Sequence, residues 1–307
     1  MGGLRDELLI QDILRLKRDK SVYIIAHYYQ REEIQALADF VGDSYAMAIA
    51  AKNSPHDIIL VAGVDFMAET AAVLCPDKIV LTPEPEATCP MASNISVNDV
   101  LCYKKKYPES IVVCYVNTPA EVKAVSDICC TSSNAAKILQ KLPDNAKVFF
   151  IPDQYLGSYL AGKLGRHIDV FSASCPTHAS ISEEHLLQLK EQFPDAKVLV
   201  HPECHPEIVA LADYVGSTKG ILDYATQSES KIFIIGTECG ILYSLQKNNP
   251  DRTFILASEE LICPNMKSIT LDKVRYSLEK LETRVTVPEE IRAKAALALE
   301  RMIEYAS

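Results

Sequence analysis

Three cysteine-proline pairs recur at a nearly fixed interval in this chain: Thr88-Cys89-Pro90, Ser174-Cys175-Pro176 and Ile262-Cys263-Pro264, with the cysteines 86 and 88 residues apart. Free cysteine is among the most buried residue types, so each one alone reads as an apolar core residue. Three at one recurring position, each beside proline, read instead as ligands gathered from distant segments. Three thiolates can hold zinc, or a four-iron cluster that lacks one protein ligand, and softness alone does not choose. There is no CxxC pair, so the usual local zinc knuckle is absent. The remaining cysteines, at 75, 102, 114, 129, 130, 204 and 239, show no such equivalence and read as structural.

Two more sets of polar residues keep the same period. His27, Tyr115 and His201 each close an apolar, β-rich run, 88 and 86 residues apart, and Tyr29, Asn117 and Glu203 follow two residues on. Alternate residues past a strand end point to one side, so each pair presents two polar groups together. His201-Pro-Glu203 joins a base to a carboxylate, a pairing suited to proton transfer. An isolated histidine, such as His178 or His205, reads as structural. Ser44, Ser132 and Thr218 are again 88 and 86 residues apart, each just before a helical stretch. Each reads as a helix N-cap, and three caps facing one cavity would make a funnel for carboxylate or phosphate. Taken singly, a plain cap is the competing reading.

The elements that must position these groups repeat as well. Apolar runs Val22 to His27, Ile111 to Tyr115 and Val198 to His201 are followed by Ile58 to Gly63, Val148 to Pro152 and Ile232 to Gly236. A third set is Lys78 to Leu81, Ile168 to Ser172 and Thr253 to Ala257. Between the first two sets, helical stretches end in Ala38-Asp-Phe-Val-Gly-Asp-Ser44, Val125 to Ser132, and Ala212 to Thr218. Short apolar runs alternating with helical patterns, such as Ser182 to Gln192 and Ile269 to Leu281, predict βα units with parallel sheets. The expected fold class is α/β, with three homologous α/β domains built on small parallel sheets around a pseudo-three-fold axis. The units divide as residues 1–107, 108–194 and 195–307. Met1 to Lys20 reads as an amphipathic helix, and Pro288 to Tyr305 as a final capping helix. Ligands collect at the carboxyl ends of parallel strands, which is where the recurrent residues fall.

The 307 residues, 48% hydrophobic and 23% charged, suit a soluble globular chain. A net charge of -10 argues against nucleic acid or an anionic membrane as partner, so an anionic ligand needs local positive potential. No apolar stretch approaches the roughly 20 residues of a membrane span, and no secretion signal opens the chain. A cytoplasmic protein with reduced thiols is expected.

Together these motifs resemble the quinolinate synthase family, the iron-sulfur enzymes of NAD biosynthesis. The resemblance covers nearly the whole chain. It rests on Ala26-His-Tyr-Tyr-Gln30, Ala38 to Ser44, Gly63-Val-Asp-Phe-Met-Ala-Glu69, Ala87-Thr-Cys-Pro-Met-Ala92, Tyr115-Val-Asn117 and Thr131-Ser-Ser-Asn134. His201-Pro-Glu-Cys204, Val215-Gly-Ser-Thr218, Gly236-Thr-Glu238 and Cys263-Pro-Asn-Met-Lys267 complete it. It implies a [4Fe-4S] cluster on Cys89, Cys175 and Cys263, with one iron open as a Lewis acid. The family condenses iminoaspartate with dihydroxyacetone phosphate to quinolinate, and takes iminoaspartate from a separate aspartate-oxidising enzyme. Ser44, Ser132, Ser217 and Thr218 would hold carboxylates or phosphate. His27, Tyr29, Tyr115, Asn117, His201 and Glu203 would line the reacting centre, with Glu203 as acid/base beside His201, and Tyr29 and Tyr115 as donors or proton relays.

Two segments depart from the family pattern: Pro152-Asp-Gln-Tyr155-Leu-Gly157 has tyrosine where asparagine is expected, and Ser172-Ala-Ser-Cys-Pro-Thr-His178 lacks a glycine-histidine and a valine. The rival functions are another [4Fe-4S] hydro-lyase in the manner of aconitase, a non-enzymatic electron carrier or redox sensor, and a structural zinc protein.

Overall fold

The computed structural model describes residues 2–306, with side chains from residue 5 onward. It contains three four-stranded, all-parallel sheets of one topology. The first holds β1 (Val22–His27), β2 (Phe40–Gly42), β3 (Ile58–Ala62) and β4 (Ile79–Leu81) in the order β2-β1-β3-β4. The second has β5 (Ile111–Tyr115), β6 (Ile128–Cys130), β7 (Val148–Ile151) and β8 (Ile168–Val170), ordered β6-β5-β7-β8. The third has β9 (Lys197–Val200), β10 (Tyr214–Val215), β11 (Ile232–Gly236) and β12 (Thr253–Leu256), ordered β10-β9-β11-β12. The expected α/β class and the three small parallel sheets are what the chain forms.

Helices cover both faces of each sheet, and that is why the strands read as unbroken apolar runs rather than alternating ones. In the first sheet Ile25, Ile59 and Val61 face one core, while Ile24, Leu60 and Ala62 face another. In the third, Val198, Val200 and Ile234 are separated from Leu199, Phe233 and Ile235 in the same way.

The edge strands β2, β6 and β10 correct the sequence reading, in which these segments are helix ends. With two or three residues each they are too short to carry a periodicity. The aspartate that recurs before each of them bonds back to the central strand. Asp39 accepts the Ile24 amide at 2.8 Å, Asp127 the Val112 amide at 2.8 Å, and Asp213 the Val198 amide at 2.9 Å. Each is also paired with a lysine, respectively Lys17, Lys104 and Lys197. The carboxylate thus pins the turn into the edge strand against the central strand.

Helix Glu183–Gln192 starts on Ser182, whose side chain accepts the His185 amide. Beyond the third cysteine the chain leaves its own sheet. Helix Leu271–Lys280 packs against the N-terminal helix Gly2–Asp19, sharing a core with Ile13 and Leu16. Residues 283–285 bond to Val80 and Thr82 beside β4. The final helix, Glu289–Ala306, lies on helix Ala120–Ala124, on β6 and on helix Asp65–Leu74, burying Ala295, Ala298, Leu299 and Met302.

Candidate active site

In each sheet the strand order reverses between the first and third strands in sequence, and ligands favour the crevice at such a switch point. His27, Tyr115 and His201 stand at the carboxyl ends of β1, β5 and β9, and the three ends open onto one cavity of about 110 Å³. Its lining includes His27, Tyr29, Ser44, Cys89, Tyr115, Asn117, Ser132, Cys175, His201, Glu203, Thr218 and Cys263. Of the site residues expected from sequence, Ser217 is the one outside the lining.

Ser217 is instead the N-cap of helix Thr218–Gln227, its hydroxyl accepting the Gly220 amide at 3.1 Å. Asp43 likewise caps helix Ser44–Asn53 by accepting the Ala46 amide at 2.9 Å. Ser44 and Thr218 are therefore first helical residues rather than caps, because the cap must be extended and either Asp or Ser serves. No helix starts at Ser132. It lies in a turn closed by Asn134 Oδ1 on the Thr131 amide at 2.7 Å, ahead of helix Ala135–Lys141. The funnel of amides and hydroxyls remains, and among the described residues the cavity lining contains no Lys or Arg. Positive potential for an anion must come from helix ends, hydroxyls, ring N–H groups and any bound metal.

His27 and His201 are held alike. Nδ1 of His27 accepts the Tyr29 amide at 3.1 Å, and Nδ1 of His201 accepts the Glu203 amide at 3.3 Å. The proton of each neutral ring is thereby assigned to Nε2. Burial drives both imidazoles down to about 3, so each is a neutral N–H donor at physiological pH. Glu203 is buried, with Oε1 accepting the Tyr115 hydroxyl at 2.7 Å. Burial opposes its ionisation, while the Tyr115 hydroxyl, and any proton that His201 or His178 carries, pulls its carboxyl the other way, below the ordinary range. Tyr29 accepts from Thr218 Oγ1 at 2.9 Å and meets Thr237 Oγ1 at 2.6 Å. Burial pushes the Tyr29 and Tyr115 phenols well up, keeping both protonated. Asn117 Oδ1 is buried with no hydrogen-bond partner.

Sequence alone reads His178 as structural, and the fold corrects this. It lines the cavity, stacks on His201 with ring centres 4.6 Å apart, and bonds Thr237 Oγ1 through Nε2 at 2.8 Å. Its Nδ1 lies 2.9 Å from Glu203 Oε2 without the alignment of a hydrogen bond. The signal available was its place three residues beyond Cys175, one of the three recurrent cysteines. At the departure in the second repeat, Tyr155 packs on His205, ring centres 4.6 Å apart, outside the cavity lining.

The three cysteines are equivalently built. Cys89 and Cys263 are N-caps of short helices that begin at the following proline, and Cys175 precedes a 3₁₀ turn at His178–Ser180. Each sulfur faces the amide three residues on, from Ala92, His178 and Met266 respectively. Burial raises all three thiols, Cys89 to about 12, and Cys89 and Cys175 are raised further by Glu203 and by neighbouring thiols of the trio. Left to themselves they would stay protonated, whereas a soft cation compensates for the buried charge and the amides already favour thiolate. The donor set therefore fits a metal centre with three thiolate ligands. The other seven cysteines lie outside the lining.

Comparison with known proteins agrees with this geometry. The family model described as quinolinate synthetase A protein matches residues 11–304. The chain belongs to that family. It is 50% identical over 298 residues to the quinolinate synthase of Dehalococcoides mccartyi strain 195, covering 97% of this chain and 98% of that one. It is 46% identical to that of Methanosarcina barkeri over 96% and 97% of the two chains, and 45% identical to that of Thermus thermophilus over 99% of each. Among the described residues no helix is long and apolar enough to cross a membrane.

Proposed function

We propose that this enzyme is a quinolinate synthase that condenses iminoaspartate with dihydroxyacetone phosphate, releasing phosphate and water, with a [4Fe-4S] cluster on Cys89, Cys175 and Cys263. The observation that carries the reading is the meeting of three equivalent thiols and the Tyr115–Glu203 pair in one cavity assembled from all three repeats. When bound, the cluster supplies an iron with an open coordination position, a Lewis acid able to polarise a substrate hydroxyl for departure.

The chain's own groups do the rest. Glu203, ionised and held by Tyr115, takes the proton that enolisation or dehydration releases. Tyr115 Oη, 2.7 Å from that carboxylate, returns a proton or donates to a developing oxyanion. Neutral His27 and His201 offer Nε2–H to substrate oxygens, and Tyr29 is aimed by Thr218 and Thr237. The helix starts at Ser44 and Thr218 and the Ser132 turn hold carboxylates and phosphate, the part a lysine or arginine would otherwise play. The ten free cysteines suit a reducing cytoplasm, and an aspartate-oxidising enzyme would supply the imine.

A second reading has one observation behind it: Cys175, His178 and Glu203 have ligand atoms within 4.8 Å of one another, a spacing that a single zinc ion could use. Anaerobic assay separates the two. Protein loaded with iron and sulfide should form quinolinate and free phosphate from iminoaspartate and dihydroxyacetone phosphate, and zinc-loaded protein should not. Loaded protein that forms neither product overturns the proposal.

A further inference from the structure

Glu238 lies just past the end of β11, fully buried, and its carboxylate gathers the loop of the third recurrent cysteine. Oε1 accepts the Cys263 amide at 3.1 Å, and Oε2 accepts the Gly240 amide at 2.7 Å. Lys267 Nζ reaches both oxygens, at 2.9 and 3.1 Å. That lysine closes the short helix Pro264–Lys267, which Cys263 caps, and its own amide donates to the Cys263 carbonyl at 3.0 Å. One buried ion pair therefore grips Cys263 at both its N–H and its C=O.

The pair also reaches into the first repeat. Lys267 Nζ donates to the Tyr29 carbonyl at 2.6 Å, and Arg31 donates to the Lys267 carbonyl at 2.8 Å through Nη2 and at 3.1 Å through Nε. Thr237, the residue before Glu238, meets the Tyr29 hydroxyl at 2.6 Å. The segment that holds the cysteine loop is thus tied to Tyr29 through both backbone and side chain.

We infer that Glu238 and Lys267 are positioning residues that act as one unit, holding the Cys263 loop in place for the metal centre with the backbone of Tyr29 as its anchor. The inference rests on the cluster reading above. A carboxylate buried this far from water is costly alone, and Lys267 supplies its countercharge; with either partner gone the other is left uncompensated. Groups that orient a metal ligand are typically worth about 10- to 100-fold in metal affinity. The two carboxylate oxygens face two amides, so a carboxamide of the same size must turn its NH2 toward one of those donors. Glu238→Gln therefore keeps the volume and breaks the grip.

Holoprotein purified anaerobically would be challenged with a ferrous chelator, following iron release and visible absorbance for wild type, Glu238→Gln, Lys267→Met, the double variant and Asp213→Ala. Each single variant at the pair should release iron about tenfold faster than wild type. The double variant should also release it about tenfold faster, rather than about a hundredfold, because its two changes remove one unit. Asp213→Ala removes a carboxylate that accepts the Val198 amide in the same repeat, and should lower the melting temperature while releasing iron at the wild-type rate. Single variants within about twofold of wild type, a double variant at the product of the two singles, or Asp213→Ala matching their acceleration overturns the inference. Should Glu238→Gln not fold, Lys267→Met decides alone, since the lysine side chain is 16% exposed and methionine keeps its stem: accelerated release supports the inference, and the wild-type rate overturns it. Wild type that binds no iron and sulfide would sink the cluster reading, and this inference with it.

Discussion

In the proposed reaction Glu203 is the residue on which proton transfer turns, because it is a buried carboxyl group joined to the Tyr115 hydroxyl at 2.7 Å. Replacing it with Gln keeps its shape and removes the base. Glu203→Gln should lower turnover about a thousandfold while iron and sulfide content stays at the wild-type level. Anaerobic kinetics beside metal analysis checks this, and wild-type turnover would refute the role. Most of these residues were legible because three unlike features shared one period. His178 was not, since a single histidine carries no repeat, and only the fold brings it onto His201 and Glu203. Ser217 was misplaced for a related reason: sequence shows a Ser-Thr pair at a helix start, and only backbone conformation tells the cap from the first helical residue.

At the scale of elements, helix Ile241–Asn248 begins at Gly240, where a Cβ would stand 2.6 Å from the Tyr29 carbonyl carbon and 2.8 Å from the Gln30 oxygen. Backbone leaves no room to relax, so Gly240→Ala should displace Tyr29, costing about 1–3 kcal/mol in denaturant titration and a larger share of kcat. Unchanged kcat would show that the first and third repeats tolerate separation here. In the middle of β8, Asp169 is held by Lys147 Nζ at 2.8 Å, by the Tyr103 hydroxyl and by His167 at 2.8 Å. Lys147 above all lowers its carboxyl to about 2. A depressed carboxyl stabilises the fold above its unfolded pKa near 3.9 and loses that contribution as pH falls toward 2. The stability gap between wild type and Asp169→Asn should therefore be full above about pH 4 and close as pH falls toward about 2, small in size because solvent screens the pair. A gap that is constant with pH contradicts it. The long buried strands were plain in the sequence. The edge strands β2, β6 and β10 were hidden because two or three residues with one aspartate look like the end of a helix.

For the whole molecule, the decisive property is that three small sheets meet with the carboxyl ends of their strands on one cavity and are locked by chain ends that cross between repeats. The final helix buries Ala295, Ala298, Leu299 and Met302 on the second and first repeats rather than on its own sheet, a placement that amphipathic spacing cannot reveal. Ending the chain before Pro288 should cost more than about 5 kcal/mol of apolar burial, enough to leave little folded protein. A truncated chain melting with the full one would show the helix to be dispensable. The convergence of the cysteines is tested most directly by iron and acid-labile sulfide analysis of anaerobically purified wild type beside Cys89→Ser, Cys175→Ser, Cys263→Ser and Cys204→Ser. Wild type and Cys204→Ser should each carry about four irons and four sulfides per chain, and the other three variants should lose the cluster. An intact cluster in any of those three, or its loss from Cys204→Ser, would contradict the assignment.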